Sequence, residues 1–421
     1  MKSVTPLSND PSEPLCSGFQ TYCYLALIVS FFALVLVKSI GWNGDFPLVL
    51  AFLRFFPPVL YAACGLLALS IPARLLYKYI SMSKLYADSA FTLQRGSDAA
   101  VSQKDNAALP ASAKSVKCLR KLFCTVRFLF DREEIQCLAL AGITFLAIYI
   151  GCGENLLIFL LLFLMTFCAD SRHIAAAIFF THAFGILLAV NAYLSELARD
   201  DIYVFSYSIC HSWGFFNPNL LGLNLFITVL FGWYLWGAAH RRMFTAIGIL
   251  LSIACFFASG CRTAALSILI LVLLSWLPGT RTRAVRYVIT CLPLIMLAVS
   301  ILLGILLFPL DEKSGSTFFT RFTECVYAFR EHGLHLFVED YSTSFRQYYF
   351  DNGYVNWVFR RGIIASAGFF LSLLFATRRL ARCGNGRLIR MFICVLLYYF
   401  MEGHLDMFFV PFLALCPDSE Q

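Results

Sequence analysis

The chain has 421 residues, of which 60% are hydrophobic and 14% charged, and its mean hydropathy is +0.75. A soluble domain carries about a quarter charged residues, so this inventory excludes an ordinary water-soluble enzyme or binding module. The formal net charge is +8, but the basic residues collect in alternate loops, which is an orientation signal and not a nucleic-acid stripe.

In chain order, residues 1–20 read as a polar cytoplasmic tail. The apolar run Tyr22–Val37 is not followed by a small-residue cleavage site, so it reads as a retained anchor. With Phe46–Ile71 it forms a first pair of spans within 21–71. Residues 72–134 form a basic cytoplasmic loop whose middle, Ala87–Ser115, is rich in Ala, Ser, Asp and Lys and is expected to be poorly ordered. Its end, Lys117–Phe130, mixes basic and apolar residues at near-helical spacing, as an interfacial helix on anionic lipid does.

Residues 135–308 carry the expected spans Ile135–Ile150, Asn155–Ala169, Ile174–Leu194, Leu220–Ala239, Met243–Ser259, Ala264–Leu277 and Tyr287–Phe308. Each is long enough to approach or cross roughly 30 Å of hydrocarbon. Residues 309–357 read as a long external loop. Residues 358–416 hold Gly362–Ala376, Leu388–Phe400 and a shorter twelfth candidate, Met407–Cys416, before a tail at 417–421. The expected fold is all-α: a polytopic transmembrane helical bundle of about 11–12 spans.

Arg172, His240-Arg241-Arg242, Arg281/Arg283/Arg286 and Arg378/Arg379/Arg382/Arg387/Arg390 fall in the same set of loops as 74–134. Positive-inside logic puts that set in the cytoplasm. The 16 Cys are scattered through apolar runs without zinc spacing, so they read as small packing residues. No clustered metal ligands and no glycine-rich nucleotide loop appear, so neither a metal nor a cofactor is expected. His332 and His335 lie close in the external loop, but that spacing is weak evidence for a metal.

Four polar clusters map to the external side. In His211–Gly222, Asn217 and Asn219 flank Pro218. Asn217 fits a helix N-cap with Pro218 at the first helical position; the functional reading is an open helix end that receives an anion or sugar hydroxyls. In Ser259-Gly-Cys-Arg-Thr263, Arg262 stands at a tight hairpin, where an Arg either snorkels or clamps a diphosphate with its fork of donors. In Asp351–Gly362, Asp351 is either a cap or a working carboxylate, and Arg360 and Arg361 are either interface anchors or its cationic partners. In Glu402-Gly-His-Leu-Asp406, acids interrupt an apolar stretch, which is costly unless they face protein or water. Arg54, in mid-span, is the expected counter-charge, as a functional group or in an ion pair with Glu402 or Glu154.

The series Gly214-Phe-Phe-Asn-Pro-Asn219, Ser259-Gly-Cys-Arg-Thr263 and Asp351-Asn-Gly-Tyr354 resembles the Wzy-type polysaccharide polymerases and their relatives, the O-antigen ligases. The resemblance rests on the order and spacing of short motifs and on the span count. It implies a bacterial inner-membrane glycosyltransferase, acting on its external face without metal or cofactor. The implied substrate is an undecaprenyl-diphosphate-linked oligosaccharide, with a flippase and a chain-length regulator as partners and no nucleic acid. The implied catalytic residues are Arg262, Asp351 and Glu402. The implied substrate-binding residues are Arg54, His211, Trp213, Asn217, Asn219, Asn352, Tyr354, Arg360 and Arg361, with Trp357 and external tyrosines stacking on sugars.

Family members often carry an Arg shortly before the Gly-Phe element, where His211 is the nearest basic residue here. Ligases usually place a His before the Asn that Asn352 matches, where this chain has Asp351; that departure favours polymerase, although a ligase could use His332 or His335. A transporter or flippase would favour inverted repeats and broken mid-bilayer helices, and the two halves of the sequence show no repeat.

Overall fold

Long apolar runs become helices in lipid because a helix satisfies its own backbone donors and acceptors. The computed structural model follows this rule over the residues it describes, which are 171–200, 202–205, 208–237, 239–277, 283–314, 317–337 and 351–403 together with Ala26, Val29 and Ile40. The remaining expectations before Ser171, including Arg54 and the interfacial helix, and the run Met407–Cys416 lie outside the described residues.

The helices are α1 (Ser171–Leu194), α2 (Pro218–Gly232, extended by a π turn to Gly237), α3 (Arg241–Ala254, extended by a π turn to Ser259) and α4 (Arg262–Trp276). They continue with α5 (Arg283–Ser314), α6 (Thr317–His332), α7 (Gly353–Cys383) and α8 (Gly386–Met401). Five segments, Ser171–Leu194, Pro218–Gly237, Arg241–Ser259, Val285–Asp311 and Gly353–Arg382, are long and apolar enough to cross a bilayer. The protein is a helical membrane protein.

Local sequence sets the helix ends. Asn217 caps α2 by accepting from Asn219 N–H at 2.8 Å, with Pro218 at the helix start. Gly384, at φ 66°, ends α7, and Asn385 caps α8 by accepting from Arg387 and Leu388 N–H, so two residues suffice for the turn. Gly260, at φ 65°, makes the corresponding turn between α3 and α4.

The core lies between α2, α4, α7 and α8. Phe226 stacks on Tyr398 with centroids 4.9 Å apart, and Trp357 stacks on Phe369 at 4.2 Å. Polar side chains tie helices together where no water can. His182 Nδ1 lies 2.6 Å from Asn224 Oδ1 between α1 and α2, and Ser252 Oγ donates to Ala265 O between α3 and α4 at 2.7 Å. Phe184, Leu250, Phe257 and Leu302 point outward instead, with Phe257 75% exposed. That surface suits lipid and would be costly in water.

Three local features differ from the sequence expectation. The segment Ser195–Asn219, which the sequence reads as a short external loop, contains an antiparallel hairpin, β1 (Ile202–Phe205) and β2 (Ser208–His211), with Ile202 opposite His211 and Phe205 opposite Ser208. Residues 309–357 are not all loop, because α5 runs on to Ser314 and α6 packs against it. Phe322, Cys325 and Ala328 recur every three residues on the buried side of α6, and Gly304 of α5 leaves room for the Phe322 carbonyl and the Cys325 thiol. Finally, α7 starts at Gly353 and is broken at Gly362 (φ 76°, ψ 169°). There the N–H groups of Ile363 and Ile364 donate to the carbonyls of His335 and Leu336 at 2.9 and 3.1 Å.

Candidate functional site

The first cluster is organised by Asp200. Its Oδ1 accepts from Ser212 N–H at 2.7 Å, Trp213 N–H at 2.9 Å and Ser212 Oγ at 3.2 Å, while Oδ2 lies 2.6 Å from His211 Nδ1. Partial burial opposes ionisation of Asp200. The His211 bond and the two backbone N–H groups outweigh it and hold the carboxyl below its ordinary range. An ionised Asp200 can only accept, so Nδ1–H of His211 donates to it and Nε2 is left as the ring's acceptor. The turn that follows is strained: Trp213 has φ 49°, and Gly214, at φ 87°, lies so close to the Ala189 carbonyl that a Cβ would clash.

The second cluster packs directly on the first. Trp213 Nε1 donates to Ala258 O at 3.1 Å. Gly260 sits under Cys210, and Gly222 of α2 gives room to Cys261, so a Cβ at either glycine would collide with a thiol. Ser259 Oγ donates back to Cys255 O at 2.7 Å within the π turn, and such bulges recur at functional sites. Arg262 is the first residue of α4 and is exposed. A guanidinium at a helix N-terminus adds its charge to the positive end of the dipole.

The third and fourth clusters are joined by Arg321 of α6. Its Nε lies 3.4 Å from Asp351 Oδ2, its Nη1 lies 3.5 Å from Glu402 Oε1, and Nη1 donates to Met401 O at 2.6 Å. The Glu402 side chain is 4% exposed and that of Asp351 45%. Among the described residues Glu402 thus meets Arg321, and its expected pairing with Arg54 lies outside them. Asp351 likewise meets Arg321, whereas Arg360 and Arg361 stand about 12 Å further along α7 at 1.5 Å per residue. Arg360 is exposed, and Arg361 is buried just before the Gly362 break.

Several expected binding residues have structural work in this arrangement. Asn352 caps α7, accepting from Tyr354 and Val355 N–H at 3.1 Å each, and its amide donates to Ser300 Oγ and Phe400 O at 3.0 Å each. Tyr354 is fully buried and donates to Leu396 O at 3.1 Å. Trp357 is buried against Phe369 and presents no face to a sugar. Asn217 spends its side-chain oxygen on the α2 cap, and Asn219 stands half-buried in the first turn.

The two halves of the site meet through α8 and α4. Tyr398, stacked on Phe226 of α2, lies one turn before Glu402, and the Glu402 carboxylate is within electrostatic reach of both Tyr398 and Cys261. Asn356 Nδ2 donates to Gly403 O at 3.1 Å, while its buried Oδ1 has no partner among the described residues. All four clusters thus gather at one end of the bundle. His332 instead lies 3.6 Å from Glu331, and the described residues contain no group of three or more metal-capable side chains.

Sequence reasoning missed Asp200 and Arg321. Asp200 looks like any acid in an Arg-Asp-Asp loop, and Arg321 like any cation in an external segment. The aromatic company of Arg321, Phe318-Phe-Thr-Arg-Phe322, was the available signal that it enters packed surroundings. Comparison with protein-family models, curated proteins and solved structures found no match to this chain.

Proposed function

We propose that this chain is a polymerase joining undecaprenyl-diphosphate-linked oligosaccharide units into cell-surface polysaccharide, at the outer face of a bacterial cytoplasmic membrane. The observation that supports it is the meeting, at one end of an apolar bundle, of the three motifs that resemble the Wzy-type series. Trp213 touches Ala258 next to the Arg262 turn, and Glu402, beside Asp351, lies within electrostatic reach of Cys261.

The reaction forms a glycosidic bond between an acceptor hydroxyl and the donor's anomeric carbon, and breaks the bond from that carbon to the diphosphate. A base takes the hydroxyl proton, and cations receive the developing charge on the leaving group. Arg262 is the cation for the diphosphate, because it is exposed at a helix N-terminus and a guanidinium stays charged near lipid. Asp351 and Glu402 both meet Arg321, so each carboxylate already spends an oxygen on that guanidinium. His211 is the stronger candidate for the proton, since Asp200 engages its Nδ1 and leaves Nε2 for the acceptor hydroxyl. Asp351 and Arg321 then orient the acceptor sugar from the opposite wall, and Trp213 offers it an aromatic face.

The test is Arg262→Ala and Arg262→Lys in the native host, with glycan chain length and protein level as readouts. Accumulation of single lipid-linked repeats supports polymerisation. Accumulation of long lipid-linked chains would instead make the protein a ligase that moves finished glycan to another acceptor. Normal long chains at normal protein level would remove Arg262 from the mechanism.

A further inference from the structure

The opposite end of the bundle holds a second constellation that the proposed reaction does not use. Arg241 is the first residue of α3, and Arg387 and Arg390 lie in the first turn or so of α8. The Arg241 guanidinium lies 4.1 Å over the Trp276 ring at the end of α4. Arg390 Nη2 donates to Leu277 O at 2.8 Å, and Arg387 Nη1 to Tyr234 O at 3.5 Å. The charges of Arg241 and Arg390 are close enough to repel each other.

Nothing described at this end balances that charge. The ion pairs among the described residues involve His211, Arg321 and His332, and none includes these three arginines. The Nε of Arg241 is buried with no hydrogen-bond partner among the described residues. His240 makes no side-chain cap, and α3 begins here with the positive end of its dipole. Two neighbouring guanidiniums, with a buried orphan donor beside them, suit an anion.

The neighbouring surface says which kind. Below Arg241, α3 exposes Met243, Ile247 and Leu250, and α4 exposes Leu266, Leu269 and Leu273, leading to Trp276. These stripes recur at three- and four-residue intervals, so each forms one continuous apolar face of its helix. A phosphate seated between the arginines would have its ester chains running down this wall, as a phospholipid does and a free phosphate does not.

We propose that Arg241, Arg387 and Arg390 form a headgroup site for an anionic phospholipid at the arginine-rich end of the bundle. The shared chemistry is a phosphate on the paired guanidiniums. Trp276 braces Arg241, and the α3 and α4 faces take the acyl chains.

The experiment is native mass spectrometry of the full-length protein in detergent, supplied in turn with phosphatidylglycerol, phosphatidylcholine and inorganic phosphate. Retention of phosphatidylglycerol over phosphatidylcholine is expected. The Arg241→Gln/Arg390→Gln double variant should weaken that retention by about tenfold or more, because charge-assisted hydrogen bonds are lost. Equal retention of the two lipids by the unaltered protein would overturn the proposal, whatever the folding of the variant. Retention of inorganic phosphate but not of phosphatidylglycerol would overturn the lipid assignment. Unchanged phosphatidylglycerol retention by a folded double variant would place the lipid elsewhere.

Discussion

Asp200 accepts two backbone N–H groups and a His side chain, and its two roles respond differently to substitution. Asp200→Ala leaves the Ser212 and Trp213 N–H groups without an acceptor and should cost about 1–3 kcal/mol, measurable as a lower unfolding midpoint in detergent. Asp200→Asn keeps an acceptor but removes the charge that steadies His211. It should leave the midpoint nearly unchanged while shortening the glycan. Because the folded pKa of Asp200 is depressed, its contribution is fully present above the ordinary carboxylate pKa and disappears as pH falls through the folded value. Amide exchange in 202–211 should therefore accelerate at acidic pH, and Asp200→Asn should abolish that acceleration.

Exposure separates the two carboxylates on Arg321. Glu402 is almost fully enclosed and Asp351 nearly half exposed. Breaking a buried pair from one side costs about 3–5 kcal/mol, since a charge is left without compensation. An exposed pair is worth about 0–1 kcal/mol. Arg321→Ala should accordingly destabilise the protein several times more than Asp351→Ala. Adding Glu402→Gln to Arg321→Ala should recover much of the loss. An additive double-mutant cycle would show that the two residues do not act as a pair.

At the scale of the element, α7 shows how a break can be structural. Gly362 has a φ that side-chain-bearing residues rarely adopt, and a Cβ there would stand 2.8 Å from Phe337 C and 2.9 Å from Leu336 O. Gly362→Ala therefore forces either strain or separation of 335–337 from the helix, whose two donors at Ile363 and Ile364 would lose their carbonyls. A destabilisation of about 1–3 kcal/mol is expected, with faster proteolysis around 333–337. A variant as stable as the unaltered protein would show that the break does not depend on this backbone conformation.

At the scale of the whole molecule, the carboxylates of the site and a cluster of arginines stand at opposite ends of the described bundle. Asp200, Asp351 and Glu402 stand with the Trp213 and Arg262 turns, and Arg241, Arg387 and Arg390 stand at the other end of α3 and α8. The proposed function requires the arginine-rich end to face the cytoplasm, as the positive-inside rule expects. Short tags inserted after Glu196 and after Gly384, both exposed and outside the spans, should be labelled from opposite sides in intact spheroplasts. Labelling of both from the outside would dismantle the shared outward site.

Among the described residues, the apolar helices and their ends were legible in the sequence because each is a local property. An apolar run in lipid has to close its own hydrogen bonds, and Asn217 before Pro218 caps its helix whatever lies nearby. Only the tertiary structure decided that Arg321 serves Glu402, that Asp200 serves His211 and that Asn352 and Tyr354 are held by packing partners. These contacts join residues from 11 to 81 positions apart, and the geometry of a salt bridge or buried hydrogen bond leaves no periodicity along the chain. The break at Gly362 belongs to the same class: a single glycine shows only that an unusual backbone angle is allowed, and the carbonyls of His335 and Leu336 are what make it occur.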